Sequence, residues 1–311
     1  MFQKAAGNRR CDMENVNNDS FALIRKSKSQ GTRLWKKRLT KFMNNRLAVL
    51  GLAIIVIMLL AFLFAPVLSP YDPLKPDLGN KYAMPSAEHL FGTDSLGRDI
   101  FTRLLYGGRT SVLIAVCSSV GGSLIALLLG LIGGFFGGWV DRILVRLSEV
   151  FSTFPQIILI MIAMTFMGQG VWNVVWIFII TGWPGELRLV RAEVLSLREE
   201  TYVEVARAFG MSRANIMFKQ ILPSVVTILV VNITMAIPGY ILSESSLSFL
   251  GIGVPSTVPT WGTMLNAARS TNALVNYWWV WVVPGLAICL FVLATNFLGD
   301  GLRDVLDPRQ Q

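Results

Sequence analysis

The sequence predicts an all-α integral membrane protein with six transmembrane helices, and three observations predict it. Hydrophobic residues make up 53% of the 311-residue chain and charged residues only 15%, against roughly 25% charged in an ordinary soluble domain. The missing charge is concentrated in long charge-free runs, as in chains that cross a bilayer. The net charge of +9 sits in residues 1–47, which hold twelve Lys/Arg and three acids, while the rest of the chain balances 16 bases against 16 acids. A basic segment beside an apolar run sets membrane topology and touches lipid headgroups. No recognition motif accompanies it, so nucleic acid is not an expected partner.

Residues 1–46 are read as a basic cytoplasmic segment, disordered over 1–30. Trp35, Leu39 and Phe42 recur at helical spacing among Arg33, Lys36, Lys37, Arg38 and Lys41, which suits a helix lying in the interface or a disordered lead-in equally. Leu47–Leu68 is charge-free and long enough to cross ~30 Å of hydrocarbon at ~1.5 Å per residue. It exceeds the ~7–15 residues of a signal-peptide core, so it reads as an uncleaved first span. Residues 69–109, with Pro70, Pro73, Pro76 and Pro85 and five bases against five acids, form an outer loop. Thr110–Val140 is the second span; Gly130, Gly133, Gly134, Gly137 and Gly138 predict close packing on a neighbour. Asp141, Arg142, Arg146 and Glu149 mark a short cytoplasmic turn, and Val150–Gly185 holds two spans separated by Gly168-Gln169-Gly170. A charged loop, 186–220, follows. Ile221–Ser243 is the fifth span, with Pro223 and Pro238. Residues 245–268, rich in Ser, Gly, Pro and Thr, suit a segment dipping back into the protein. Ser270–Gly299 is the sixth span, with Tyr277, Trp278, Trp279 and Trp281 as an outer aromatic belt. The transmembrane domain is thus 47–299, and 300–311 is a cytoplasmic tail. With both ends inside, 22 of the 28 Lys/Arg fall in the cytoplasm, in accord with the positive-inside rule.

The loop 186–220 is the most informative stretch. Thr201 and Glu204 have the spacing of a capping box, and Gly210 stands where a left-handed residue would end the helix. The result is a short helix over Tyr202–Phe209 with Val203, Ala206 and Phe209 on a narrow apolar face. That face either docks on a partner or rests on the chain's own membrane helices. Glu244 is the only acid near the outer end of a span; it either meets the amino end of a substrate at the outer gate or is a solvated interfacial carboxylate. His89 is the sole histidine and has no visible metal partners, while Asp94, Arg98 and Asp99 are expected to pin the outer loop. Cys11, Cys117 and Cys289 are far apart and suggest neither a disulfide framework nor a zinc site. No Gly-x-x-x-x-Gly-Lys-Ser/Thr occurs, so an ATPase, if one drives the protein, is another chain. An ion-coupled secondary transporter would place charge within its spans, and an intramembrane enzyme would place a nucleophile–base pair there; neither is present.

Glu204-Val-Ala206, then Gly210, then Leu222-Pro223 resembles the EAA loop of binding-protein-dependent ABC import permeases, with Val205 for the middle alanine and Gln220 at the usual isoleucine position. Phe91-Gly-Thr-Asp94-Ser-Leu-Gly97-Arg98-Asp99 with Gly108-Arg109-Thr-Ser111, Ser246-Leu-Ser-Phe-Leu-Gly251-Ile-Gly253-Val-Pro255 with Trp261-Gly262, and Asn296-Phe-Leu-Gly299-Asp300-Gly301-Leu-Arg303-Asp304 ending at Asp307-Pro308 are similar to the dipeptide/oligopeptide/nickel permeases, C-type subunit, over roughly residues 33–309. The resemblance implies a type I ABC importer permease in a prokaryotic plasma membrane. It implies as partners a second permease, two ATPase subunits that carry ATP and Mg, an extracytoplasmic binding protein and membrane lipids, with no cofactor in this chain. It assigns Glu204, Ala206, Phe209, Gly210 and Pro223 to ATPase coupling. Peptides are the implied substrate; nickel and glutathione-like compounds are the alternatives.

Overall fold

A computed structural model describes residues 39–306. The expected disorder over 1–30, together with Trp35, Cys11 and the tail 307–311, lies outside these residues. The described chain is helical, and its one extended feature is a single bridge between Thr93 and Asp99. The principal helices are α1 (Arg46–Leu63), α2 (Ile100–Phe136), α3 (Gly138–Thr153), α4 (Gln156–Met167), α5 (Val171–Arg198), α6 (Thr201–Ala208), α7 (Leu222–Phe249), α8 (Trp261–Ala267), α9 (Thr271–Asn276) and α10 (Trp279–Leu306). Among the described residues, four helical stretches are long and apolar enough to cross a membrane: α1, α2, the stretch that ends in α7, and α10. The number rises to five when α3 and α4, bent by 89°, are taken as one broken span.

Charge-free runs located these helices but not their ends. The second helix begins at Ile100, inside the expected outer loop, because Asp99 caps it by accepting from the Thr102 backbone N–H at 2.7 Å. At 37 residues α2 is about 55 Å long, far more than ~30 Å of hydrocarbon, which leaves room for Arg103 and Arg109 on helix beyond an apolar layer. It stops at Gly137, whose φ of +65° only glycine adopts cheaply. The expected short turn at 141–149 is instead the sixteen-residue helix α3. Trp139, Ile143, Leu147, Val150 and Phe154 are exposed along one side of it, and Asp141 is held on the other by a bidentate pair with Arg191 of α5 (Nη2 to Oδ2, 2.6 Å).

Gly168-Gln169-Gly170 is a turn, as expected, with Gly168 at φ +75°. The helix after it runs to Arg198, past the expected end at Gly185, because Trp183, Leu187, Val190 and Val194 continue a buried stripe at helical spacing. That takes the first third of the predicted loop 186–220 into the bundle. α2 packs most extensively on α5, and the glycines of α2 allow it. A Cβ on Gly130 would lie 2.7 Å from Val190 Cγ1, and one on Gly134 would lie 2.9 Å from Val194 Cβ. Gly130→Leu is therefore expected to lower the thermal midpoint in detergent by overpacking, at a cost of ~1–3 kcal/mol, read by size-exclusion chromatography after heating.

The helix predicted to end at Ser243 continues to Phe249. The segment after it folds back as α8, whose Trp261 is fully buried. A Cβ on Gly262 would lie 2.7 Å from Ser245 Cα, so α8 lies directly on α7. The expected sixth span is divided: Ser270 caps α9, and α10 starts only at Trp279 and reaches Leu306, into the expected tail. Trp278 and Trp281 are exposed, as an aromatic belt requires. Tyr277 and Trp279 are not part of a belt: Tyr277 stacks on Tyr82 of the outer loop (4.0 Å between centroids), and buried Trp279 donates its indole N–H to Thr93 O at 3.3 Å. Residues 39–44 are helical, and Lys41 reaches the Asp304 carbonyl at 2.6 Å, so the start of the described chain lies against the end of α10.

Candidate functional site

α6 is bounded differently at its two ends. The expected capping box is absent. The N-cap is Glu200, without a side-chain cap, and Thr201 is the first helical residue, which puts Glu204 one position too far along to reach back. Glu204 is exposed and lies in the first turn, where a carboxylate favours the helix dipole. The other end is as expected. Gly210 has φ +78°, its N–H donates to Arg207 O at 3.0 Å, and the Met211 N–H donates to Ala206 O at 3.1 Å. These two bonds form a Schellman motif, which holds the last turn closed.

The apolar face read from the sequence splits in two. Val203 is fully buried and Ala206 partly so; with Met211 they share a cluster with Phe135 of α2, Val194 of α5, Val225 of α7, and Ile216 and Ile221 of the turns just before α7. Phe209, assigned to the same face, is 87% exposed, and Val205 and Tyr202 stand 47% and 41% exposed beside it. One side of α6 thus rests on its own bundle, and the other is exposed. Desolvation of the Tyr202 hydroxyl pushes the phenol above its ordinary pKa, and nearby Ser224 of α7 partly offsets the shift. Pro223, exposed at the start of α7, follows a π-helical turn over Met217–Ile221. Proline has no N–H to donate to the carbonyl four residues back, so the preceding turn widens.

Glu244 is not a solvated interfacial carboxylate. It is completely buried on α7 and accepts from Ser111 of α2 at 3.1 Å and from Ser248 at 2.8 Å, with Thr260 also in contact. Ser111 Oγ in turn accepts the Trp261 backbone N–H at 3.2 Å. One carboxyl therefore joins α2, α7 and the start of α8. Ser111 follows Gly108-Arg109 in the sequence, but nothing in its spacing revealed that it would meet a residue 133 positions away.

The outer loop is pinned as expected. Asp94 pairs with Arg98 at 2.7 Å and lies 3.7 Å from buried Arg103, while Asp99 takes His89 Nδ1 at 2.9 Å. Arg103 was not among the sequence candidates, since its burial follows from the early start of α2; it also donates to Pro73 O at 3.0 Å.

The architecture defines a multi-pass helical membrane protein with a small, separately capped helix outside its bundle. The comparisons with known proteins give the class a family. Residues 110–311 match the binding-protein-dependent transport system inner membrane component, and residues 33–85 match the N-terminal TM domain of oligopeptide transport permease C. The chain is 37% identical over 309 residues to the oligopeptide transport system permease protein OppC of Bacillus subtilis, covering 99% of this chain and 97% of that one. It is 37% identical over 277 residues to the dipeptide transport system permease protein DppC of Alkalihalophilus pseudofirmus (89% and 90% covered). It is 42% identical over 277 residues to the glutathione transport system permease protein GsiD of Pectobacterium atrosepticum (88% and 91% covered). The chain belongs to the ABC importer permeases of the dipeptide/oligopeptide/nickel family, as a C-type subunit. The family is one of non-enzymatic transport subunits of the inner membrane.

Proposed function

We propose that this permease carries peptides inward, forms the path together with a second permease, and couples to an ATPase subunit through α6. Two ATPase chains hold the ATP and Mg, and an extracytoplasmic binding protein delivers the substrate. The chain crosses six times with both ends in the cytoplasm; α5, interrupted by charge in its second half, is the crossing that hydropathy alone leaves out. The oligopeptide and dipeptide names of the relatives support the substrate class. Glutathione, named for another relative, is itself a peptide and fits the same reading. One observation carries the coupling role: a rigid eight-residue helix, anchored by Val203 and ended by a Schellman turn, presents Phe209 uncovered. An aromatic anchor on a fixed helix is the kind of group that dominates a protein interface.

The test is Phe209→Asp in the complete transporter. The ring is 87% exposed, so yield and thermal midpoint of the isolated chain are expected to stay at wild-type values. Uptake of a labelled dipeptide is expected to fall at least ~30-fold, since an interface anchor is worth 2 kcal/mol or more. The ATPase subunits should also be lost on purification. Wild-type uptake with the ATPase retained would overturn the assignment.

A further inference from the structure

Three polar side chains stand on a face that hydropathy would give to lipid. Gln156 opens α4, and Ser243 and Ser246 lie three residues apart on α7. Gln156 and Ser246 are exposed and Ser243 is half-buried. With Ile160, Leu242 and Leu247 they line a groove of about 170 Å³ between the two helices. The far ends of the same helices are tied together: the Gln169 side-chain amide donates to Gly251 O at 2.7 Å. Down the helix axes from that tie, the serines lie about 7–12 Å below it and Gln156 about 20 Å below, at ~1.5 Å per residue. With the tie at the outer boundary, as the topology proposed above has it, the groove falls within the ~30 Å hydrocarbon layer. Ser246 satisfies its hydroxyl on its own helix, but a glutamine amide and a second serine on the same face ask for polar partners that acyl chains do not supply, so this face is poorly matched to lipid.

We propose that this groove is the chain's wall of the translocation path and that it takes the backbone amides of an extended peptide. The inference rests on the peptide-permease reading above and adds the place and the chemistry. Gln156 offers both donors and an acceptor. Ser246 donates its hydroxyl to Leu242 O at 2.7 Å, which leaves the oxygen lone pairs to accept, and Ser243 offers both functions. The set is neutral and two-sided, like the N–H and C=O that every peptide presents whatever its side chains. Ile160, Leu242 and Leu247 between them give side chains a shallow, unselective wall. A path without formal charge also holds its cargo weakly enough to release it.

The test uses the complete transporter in cells, with Cys11, Cys117 and Cys289 replaced by Ser and single cysteines introduced as Ser243→Cys, Ser246→Cys or, as a lipid-facing control, Leu286→Cys, where the native side chain is 63% exposed on α10. A charged, membrane-impermeant thiol reagent is expected to modify the two α7 cysteines roughly tenfold faster than the control, because only a hydrated thiol ionises. Modification should block dipeptide uptake, and excess unlabelled dipeptide should slow the modification. Labelling no faster than at Leu286→Cys, as when a partner helix seals the groove permanently, would overturn the site even if dipeptide uptake were normal. Fast labelling that dipeptide does not slow would overturn the ligand class. Absence of dipeptide uptake in the unmodified transporter would sink the underlying reading instead.

Discussion

Gly210→Val is expected to abolish ATP-driven uptake while the chain still inserts in the membrane. The space around Gly210 is open: a Cβ there would touch nothing within 4 Å. The obstacle is the backbone. A φ of +78° is a genuine outlier for a β-branched residue and costs ~1–3 kcal/mol. Valine relieves that strain by leaving the left-handed region, which breaks the bonds from Gly210 to Arg207 and from Met211 to Ala206. Phe209 then loses its fixed direction. Asparagine tolerates the same backbone region, so Gly210→Asn is expected to retain most uptake. Uptake measured alongside membrane insertion checks both; normal uptake by the valine variant would contradict a coupling role for this turn.

Glu244→Leu is expected to destabilise the whole bundle, where Glu244→Gln is tolerated. Leucine leaves the Ser111 and Ser248 hydroxyls without the acceptor they share. A buried donor left unsatisfied costs ~1–3 kcal/mol, so the pair is expected to cost about 2–6 kcal/mol. Glutamine keeps a carbonyl oxygen for one of them. The thermal midpoint in detergent separates the variants: a clear fall for leucine and a small one for glutamine. Equal midpoints would mean that the carboxyl does not hold α2, α7 and α8 together.

The spanning runs and the peripheral helix were legible because hydrophobicity and turn chemistry are local. Helix ends were less so, because charge was taken as a sign of loop. Arg103 lies on a helix longer than the membrane is thick. The charges Glu186, Arg188 and Glu193 share α5 with the buried stripe of Leu187, Val190 and Val194; periodicity, not charge, carried the signal there. The capping box failed by one residue, since Glu200 rather than Thr201 flanks the helix. Phe209 and Val203 share an apolar pattern, yet one is 87% exposed and the other is buried; only the packing of α6 on the ends of α2, α5 and α7 divides them. Glu244 was visible as an oddity, but its partners are brought to it by tertiary packing that no spacing encodes.

The outer loop is fastened at its two edges to different rods. Tyr82 and Thr93 grip Tyr277 and Trp279 at the head of α10, while Ser69 and Pro73 hold the first turns of α2 through Thr102 and Arg103. A displacement of this loop is delivered to the roots of both rods. The rod ending at Leu306 is clasped at its foot by Lys41 through Asp304, so the loop's grip and the clasp act on the two ends of one helix about 40 Å long.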